Sequence, residues 1–433
     1  MDSPLKPTLP KLAGERLAWS GLAGSGRGLA IATAAEIHSG PLLVITTSSF
    51  SAQRLEDEIR FYAPGLPILP LPDWESLPYD AFSPHQDIIS QRLETLYRLP
   101  GLTHGVVLAA VSTLLHRLPP RDYVSSHSFL MKIGDRLEIQ SLREQLTRAN
   151  YHSVSQVMEA GEFAVRGGLI DLFPAGSHQP YRIELFGDRV ETMREFDPVT
   201  QRSGKSINTI QLLPAREFPM TEEAIQRFRQ AFRTRFEGDP QKVPLYRDIS
   251  QGISPAGAEY YLPLFFPAMS VIFDYLPATT LGMLDAGMAE TANSFQREAE
   301  QRYGERRHDI ERPLLTPAEV FTTTEDLLEG LAAWPLVELR EYSAEDNLSS
   351  ESSPAKGSLI TYGTRPPASF PVDHKSDTPY SALFDYLRDF PGRVLFVADS
   401  VGRRETLRGL LQENNFPLED VPGWRVFLES KIK

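Results

Sequence analysis

Two short stretches limit this chain more than any other feature: Pro41-Leu-Leu-Val-Ile-Thr46 and Gly105-Val-Val-Leu-Ala-Ala-Val111. Each is apolar throughout at strand length instead of alternating apolar with polar. Strands of that kind are buried on both faces, as in parallel sheets covered by helices on each side. Behind the first, Leu55, Ile59 and Tyr62 recur at helical spacing, with Ser51 as the expected N-cap. Behind the second, Thr113 to Leu118 reads as a short helix ended by Pro119-Pro120. The N-terminal part is therefore expected to be an α/β unit.

The pattern changes from about Ser125. Phe163 to Pro174, Tyr181 to Phe186 and Arg189 to Phe196 read as strands, the last two joined by a Gly187-Asp188 turn, which predicts an antiparallel α+β insert. Helical periodicity returns in Glu222 to Phe236 and Thr291 to Tyr303. Ser270 to Leu276 and Leu281 to Asp285 are expected to be further strands that complete the first sheet. Ser343 to Pro379, rich in Ser, Pro and charge, is expected to be a linker or poorly ordered loop. Beyond it, Arg393 to Ala398 reads as a strand and Ser400 as the cap of a helix through Leu411, stopped at Asn414-Asn415. This small α/β unit shows no closing element before Lys433, as in a chain cut from something longer.

The 433 residues contain no cysteine, which excludes a disulfide scaffold, a thiolate metal site and a cysteine nucleophile. Lys and Arg number 44 against 57 Asp and Glu, a net charge of −13, so nucleic-acid binding is not expected as the dominant activity. Met1-Asp2-Ser3-Pro4 lacks the flank and core of a signal peptide, and prolines and Asp274 break the apolar run Leu262 to Pro277. A cytoplasmic protein with no membrane partner is expected. The nine histidines show no metal-binding spacing, and no metal or cofactor is expected.

Gly21-Leu-Ala-Gly-Ser-Gly-Arg-Gly28 sits where a phosphate-binding loop would, after a strand and before an Ala-rich helix. That motif requires lysine and then Ser/Thr after its last glycine. Gly21 and Gly26 fit, but Arg27 stands at the lysine position. Gly28, at the next, offers no hydroxyl to magnesium. Asp285, after an apolar run, is placed to hold magnesium, yet Ala286 follows where a second acid would position water. These defects predict a nucleotide-binding fold without nucleotide chemistry. In the insert, alternation puts Ile183 and Leu185 on one strand face and Arg182, Glu184 and Phe186 on the other. A phenylalanine among charges marks a docking hot spot, which Arg166 on the neighbouring strand can join; alternatively Phe186 packs beneath the hairpin.

The block Leu71-Pro-Asp-Trp-Glu-Ser-Leu-Pro-Tyr-Asp-Ala-Phe-Ser-Pro-His-Gln-Asp-Ile-Ile-Ser90, with Gly161 to Ser177 and Tyr181 to Asp188, closely resembles the N-terminal module of the Mfd family of bacterial transcription-repair coupling factors. Pro255 to Tyr260, Pro263 to Phe266 and Gly402 to Leu407 extend the match over nearly the whole chain. The resemblance implies a UvrB-like architecture: a degenerate P-loop, helicase-like parallel sheet interrupted by an α+β domain and followed by a small α/β domain. Its segments would be domain 1A (1–124), domain 2 (125–214), domain 1B (215–342), a linker (343–379) and domain 3 (380–433). The resemblance further implies that domain 2 binds UvrA through Arg166, Arg182 and Phe186. The protein would then be an adapter recruiting nucleotide-excision repair to stalled RNA polymerase, with no ATP hydrolysis of its own. The translocase activity, the contacts with polymerase and DNA, and a C-terminal domain that masks domain 2 would belong to other parts of the family's length. The alternative function is an ATP-dependent helicase module binding nucleotide at Gly21 to Gly28. The aromatic DNA-clamping hairpin of UvrB has no equivalent in residues 70–100.

Overall fold

Pro41–Thr46 and Gly105–Ala110 are adjacent parallel strands, and all six residues of each are buried. They occupy the middle of a sheet in a computed structural model that describes residues 2–340, 358–366, 368–370, 372 and 379–430. The N-terminal strands are β1 (Arg16–Ser20), β2 (Pro41–Thr46), β3 (Ile68–Leu71) and β4 (Gly105–Ala110). The insert adds β5 (Phe129–Lys132), β6 (His152–Ser153), β7 (Glu162–Arg166), β8 (Leu169–Phe173), β9 (Tyr181–Phe186), β10 (Arg189–Phe196), β11 (Ser203–Ser206) and β12 (Thr209–Leu212). After it come β13 (Leu281–Asp285), β14 (Leu336–Leu339) and β15 (Ser358–Thr361). The main sheet has the parallel order β15-β1-β14-β13-β2-β4-β3.

Alternation along the central strands feeds two cores. Leu42, Val44, Val106 and Leu108 pack with helices α1 (Gly26–Ile37) and α2 (Ser49–Tyr62). Leu43, Ile45, Val107 and Ala109 pack on the other face against helix α3 (Gln86–Arg98). A third core is largely aromatic, joining Trp74, Tyr79, Phe218, Phe228, Phe232 and Tyr246. The insert is a six-stranded sheet, β11-β10-β9-β8-β7-β6, mainly antiparallel. It shares a core with the helix Ile139–Arg148 and the β5–β12 pair.

Several local expectations change. The α2 cap is Ser48, whose hydroxyl accepts from the Ser51 N–H, because Ser48 has the extended backbone that a cap needs. The second short helix runs Val111–Leu115, and His116 and Leu118 instead bridge to Phe321 and Ser270. Ser270 to Leu276 is not a strand: the Asp274 carboxylate takes the Val271 N–H at 2.8 Å and closes a helical turn, Ile272–Tyr275. Arg393 to Ala398 forms no strand, and no ladder partner for it occurs among the described residues. The helix after it runs Val401–Glu413 with Ser400 as its cap, and left-handed Asn415 lies just past its end. Of the linker expected over 343–379, residues 343–357, 367, 371 and 373–378 lie outside the described residues. Ser358–Thr361 is a strand of the main sheet, paired with β1, and Tyr362 is buried against Trp19.

The insert joins the body through buried polar contacts. Arg92 of α3 and Glu217 are fully buried and meet at 2.6 Å, while Arg92 also donates to the Pro72 carbonyl and Trp74 to Glu217. Beside them the buried His116 ring lies on Trp74, with centroids 4.4 Å apart, and its Nδ1 is 3.0 Å from the Ser112 carbonyl. Burial pushes the His116 imidazole down to about 4, the Asp73 charge opposing this and Arg92 adding to it. The unfolded chain gains that proton near pH 6.5 and the folded chain only near pH 4, so stability falls as pH drops between these values. Burial opposes ionisation of Asp73 too, but His116 and the Ser112 hydroxyl hold its carboxyl below the usual range, outside this window. Urea denaturation at pH 7, 6 and 5 is expected to show a loss approaching about 1.4 kcal/mol per pH unit, and His116→Phe should flatten that slope.

Candidate functional site

The Gly-rich loop and the strand end expected to face it do come together. Gly21 and Gly24 have φ of +70° and +54°, and a Cβ on Gly21 would collide with the Tyr362 carbonyl. The Thr364 hydroxyl enters the loop, accepting from the Ala23 N–H at 2.6 Å and donating to the Gly21 carbonyl at 2.7 Å. Gly26 starts α1 against the same threonine side chain. Arg27 is ion-paired with Asp285, whose carboxylate also accepts from the Thr47 N–H at 3.3 Å. The cation that replaces the P-loop lysine is thus matched with the carboxylate expected to hold magnesium. Ala286 contributes its backbone N–H to Leu339.

Gly28 is buried, and a Cβ there would lie 2.5 Å from the Glu58 Cβ and 2.6 Å from its carboxylate. The lost hydroxyl is therefore more than a missing ligand, because a side chain of α2 fills the space it would need. Gly28→Ser is expected to destabilise the chain by roughly 1–3 kcal/mol, as overpacking does, and adding Glu58→Ala, which removes the carboxylate but keeps the Cβ, is expected to recover only part of the loss. Chemical denaturation of the single and double variants checks this.

The insert presents a different surface. β9 runs between β8 and β10, and register places Asp171 opposite Arg182 and Arg182 opposite Arg194. The next row outward is Arg166–Leu169–Glu184–Thr192. The inner face carries Ile183 and Leu185 into the core, and Phe186, on the outer face at the hairpin end, is 78% exposed. Gly187, with φ +64°, turns the chain there so that Phe186 pairs with Arg189. The ring is not tucked beneath the hairpin.

The two arginines differ. Arg166 is half exposed (51%), 3.7 Å from the Asp171 carboxylate, and donates to the Ser155 carbonyl. Arg182 is 16% exposed and makes a two-pronged contact with Asp171, Nε to Oδ1 at 2.7 Å and Nη2 to Oδ2 at 3.0 Å. Its Nη1 donates to the Gln201 carbonyl at 3.1 Å and lies 3.4 Å from the Ser203 hydroxyl, and the guanidinium sits 4.9 Å from the Phe196 ring. Asp171 itself was not singled out from the sequence, although an acid inside Leu169-Ile-Asp-Leu-Phe173 is a readable anomaly.

Among the described residues no group of three or more acidic or histidine side chains is placed to hold a metal, and no helix is long and apolar enough to cross a membrane. A parallel sheet with a Gly-rich loop after its first strand, interrupted by an antiparallel insert, defines a helicase-type module of the UvrB-like class. Residues 129–218 match the family model described as the UvrB interaction domain, and residues 386–433 the one described as the MFD, D3 domain. The chain is 40% identical over 412 residues to the transcription-repair-coupling factor of Escherichia coli (strain K12), covering 95% of this chain and 35% of the relative. Identity is 37% over 415 residues to the Haemophilus influenzae protein of the same name (95% and 34%), and 29% over 348 residues to that of Myxococcus xanthus (75% and 29%). The chain belongs to the transcription-repair-coupling factor family, to whose N-terminal region it corresponds, and it spans about a third of the length of these relatives.

Proposed function

We propose that this chain is the recruitment arm of a coupling factor, binding UvrA through the outer face of its insert. The observation that carries the reading is Phe186, a large apolar ring 78% exposed on a hairpin whose opposite face is packed core. An exposed aromatic backed by a rigid strand and flanked by arginine is the usual composition of a protein–protein hot spot. Arg166 supplies charge-assisted hydrogen bonds to acidic groups on the partner, and Arg182 shares in the site. The reading places the protein in the cytoplasm. On this reading RNA polymerase and DNA engage regions of the family outside this third, and the C-terminal domain that masks the insert lies among those regions.

Purified UvrA titrated into the chain is expected to bind, and Phe186→Ala to weaken that binding by roughly 1–3 kcal/mol with an unchanged melting temperature. Equal affinity for parent and variant overturns the reading.

The competing function, ATP binding at Gly21 to Gly28, has the Arg27–Asp285 contact and the Glu58 packing against it. On our reading the fragment hydrolyses no ATP. Calorimetric titration of ATP with magnesium is expected to give only heat of dilution, and a saturable signal would restore the motor reading.

A further inference from the structure

Three charged side chains of the insert meet within one small area, and they do not have equal freedom. Asp171 is 2% exposed, so its charge is stable there only if partners surround it. Arg182 takes both carboxylate oxygens, in the paired geometry that guanidinium and carboxylate planes favour. The remaining terminal nitrogen of Arg182 is directed at the Gln201 carbonyl and Ser203. Below it, Phe196 packs with Val157 and Ala164 in a small second core on this outer face. Arg182 is the lid of that core, joining β8, β9 and the 197–203 turn. Its donors are spent inside the insert.

Arg166 is placed otherwise. It stands one row further out, at the end of β7, where Gly167 (φ +63°) begins the turn to β8. One nitrogen is anchored on the Ser155 carbonyl and another approaches Asp171, yet half of the side chain remains in solvent. It lies on the same outer face as Phe186, two strands away, a separation of order 10–15 Å from strand spacing. That distance is within one hot spot.

We infer that Asp171 is the positioning residue of this docking face: it binds Arg182 as an internal support and leaves Arg166 as the guanidinium presented, with Phe186, to an acidic partner surface. The inference rests on the docking reading above and deepens it by giving the two arginines separate work. Arg182 acts through the shape of the strand, whereas Arg166 acts through its charge.

The separation makes the two arginines distinguishable by salt. A charge that meets an opposite charge across an interface makes binding weaken as ionic strength rises, whereas a charge already neutralised inside one partner contributes little to that dependence. The experiment titrates purified UvrA into the whole chain at low and high salt, for the parent and the variants Phe186→Ala, Arg166→Ala, Arg182→Ala and Asp171→Asn. Arg166→Ala is expected to weaken binding at low salt and to flatten the salt dependence. Arg182→Ala is expected to weaken binding about tenfold with the parent's salt dependence retained. Asp171→Asn is expected to weaken it about tenfold as well, with a salt dependence no flatter than the parent's because the Arg182 charge is then no longer neutralised. Adding Arg182→Ala to Asp171→Asn should weaken binding no further. If Phe186→Ala binds as the parent does, the docking reading falls and the inference falls with it. If Phe186→Ala is weakened but Asp171→Asn is not, or Arg182→Ala flattens the salt dependence as Arg166→Ala does, the inference alone is overturned. Should Asp171→Asn lower the melting temperature, the two arginine variants still decide the matter through salt.

Discussion

The arrangement of this molecule depends on a pair of charges in its interior. Arg92 comes from the helix behind the main sheet and Glu217 from the return path of the insert, and neither is reached by solvent. An ion pair at that depth is not a cheap source of stability, since each charge has been taken out of water. Its value lies in direction. The guanidinium also holds the Pro72 carbonyl, and the carboxylate takes the indole N–H of Trp74, so the two contacts fix where the insert leaves the sheet. Gly176 N–H on Ser90 and Gln86 on the Ala215 carbonyl add neutral bonds along the same seam. The outer face of the insert is therefore oriented by the body.

Much of this could be read from residues alone, for definable reasons. The continuously apolar runs at 41–46 and 105–110, each followed by a helical pattern, point to a covered parallel sheet because strands in such sheets are buried on both faces. The hairpin around Gly187 and the strand face that carries Phe186 follow from alternation with period two, but whether the ring packs beneath the hairpin is decided only by its exposure in the fold. What escaped were features set by distant chain. Leu336–Leu339 and Ser358–Thr361 are four-residue strands whose identity depends on the neighbours they find. Arg393 to Ala398 shows the converse, strand-like composition with no pairing neighbour among the described residues. Ser270 to Leu276 was decided by one carboxylate closing a turn.

The candidate sites divide in the same way. The defects at Arg27, Gly28 and Ala286 were visible as residue types, but what fills the vacated space was not. Glu58 and Thr364 belong to segments 30 to more than 300 residues away, and no spacing rule links them to the loop. In the insert, alternation puts Arg182 and Phe186 on one strand face and the register adds Arg166 to it, while the inequality between the arginines is visible only with Asp171 and Phe196 in place.

Thr364 carries one more implication. It reaches the Gly21 carbonyl and Ala23 N–H at the end of an edge strand that is itself zipped to β1. An anion approaching the loop thus meets a rival on the same chain, whose local concentration, like that of any short tether, is on the order of millimolar or above. To enter, it must unzip an edge of the sheet as well as dislodge a hydroxyl. The Gly-rich loop is held shut by a fastening from its own chain.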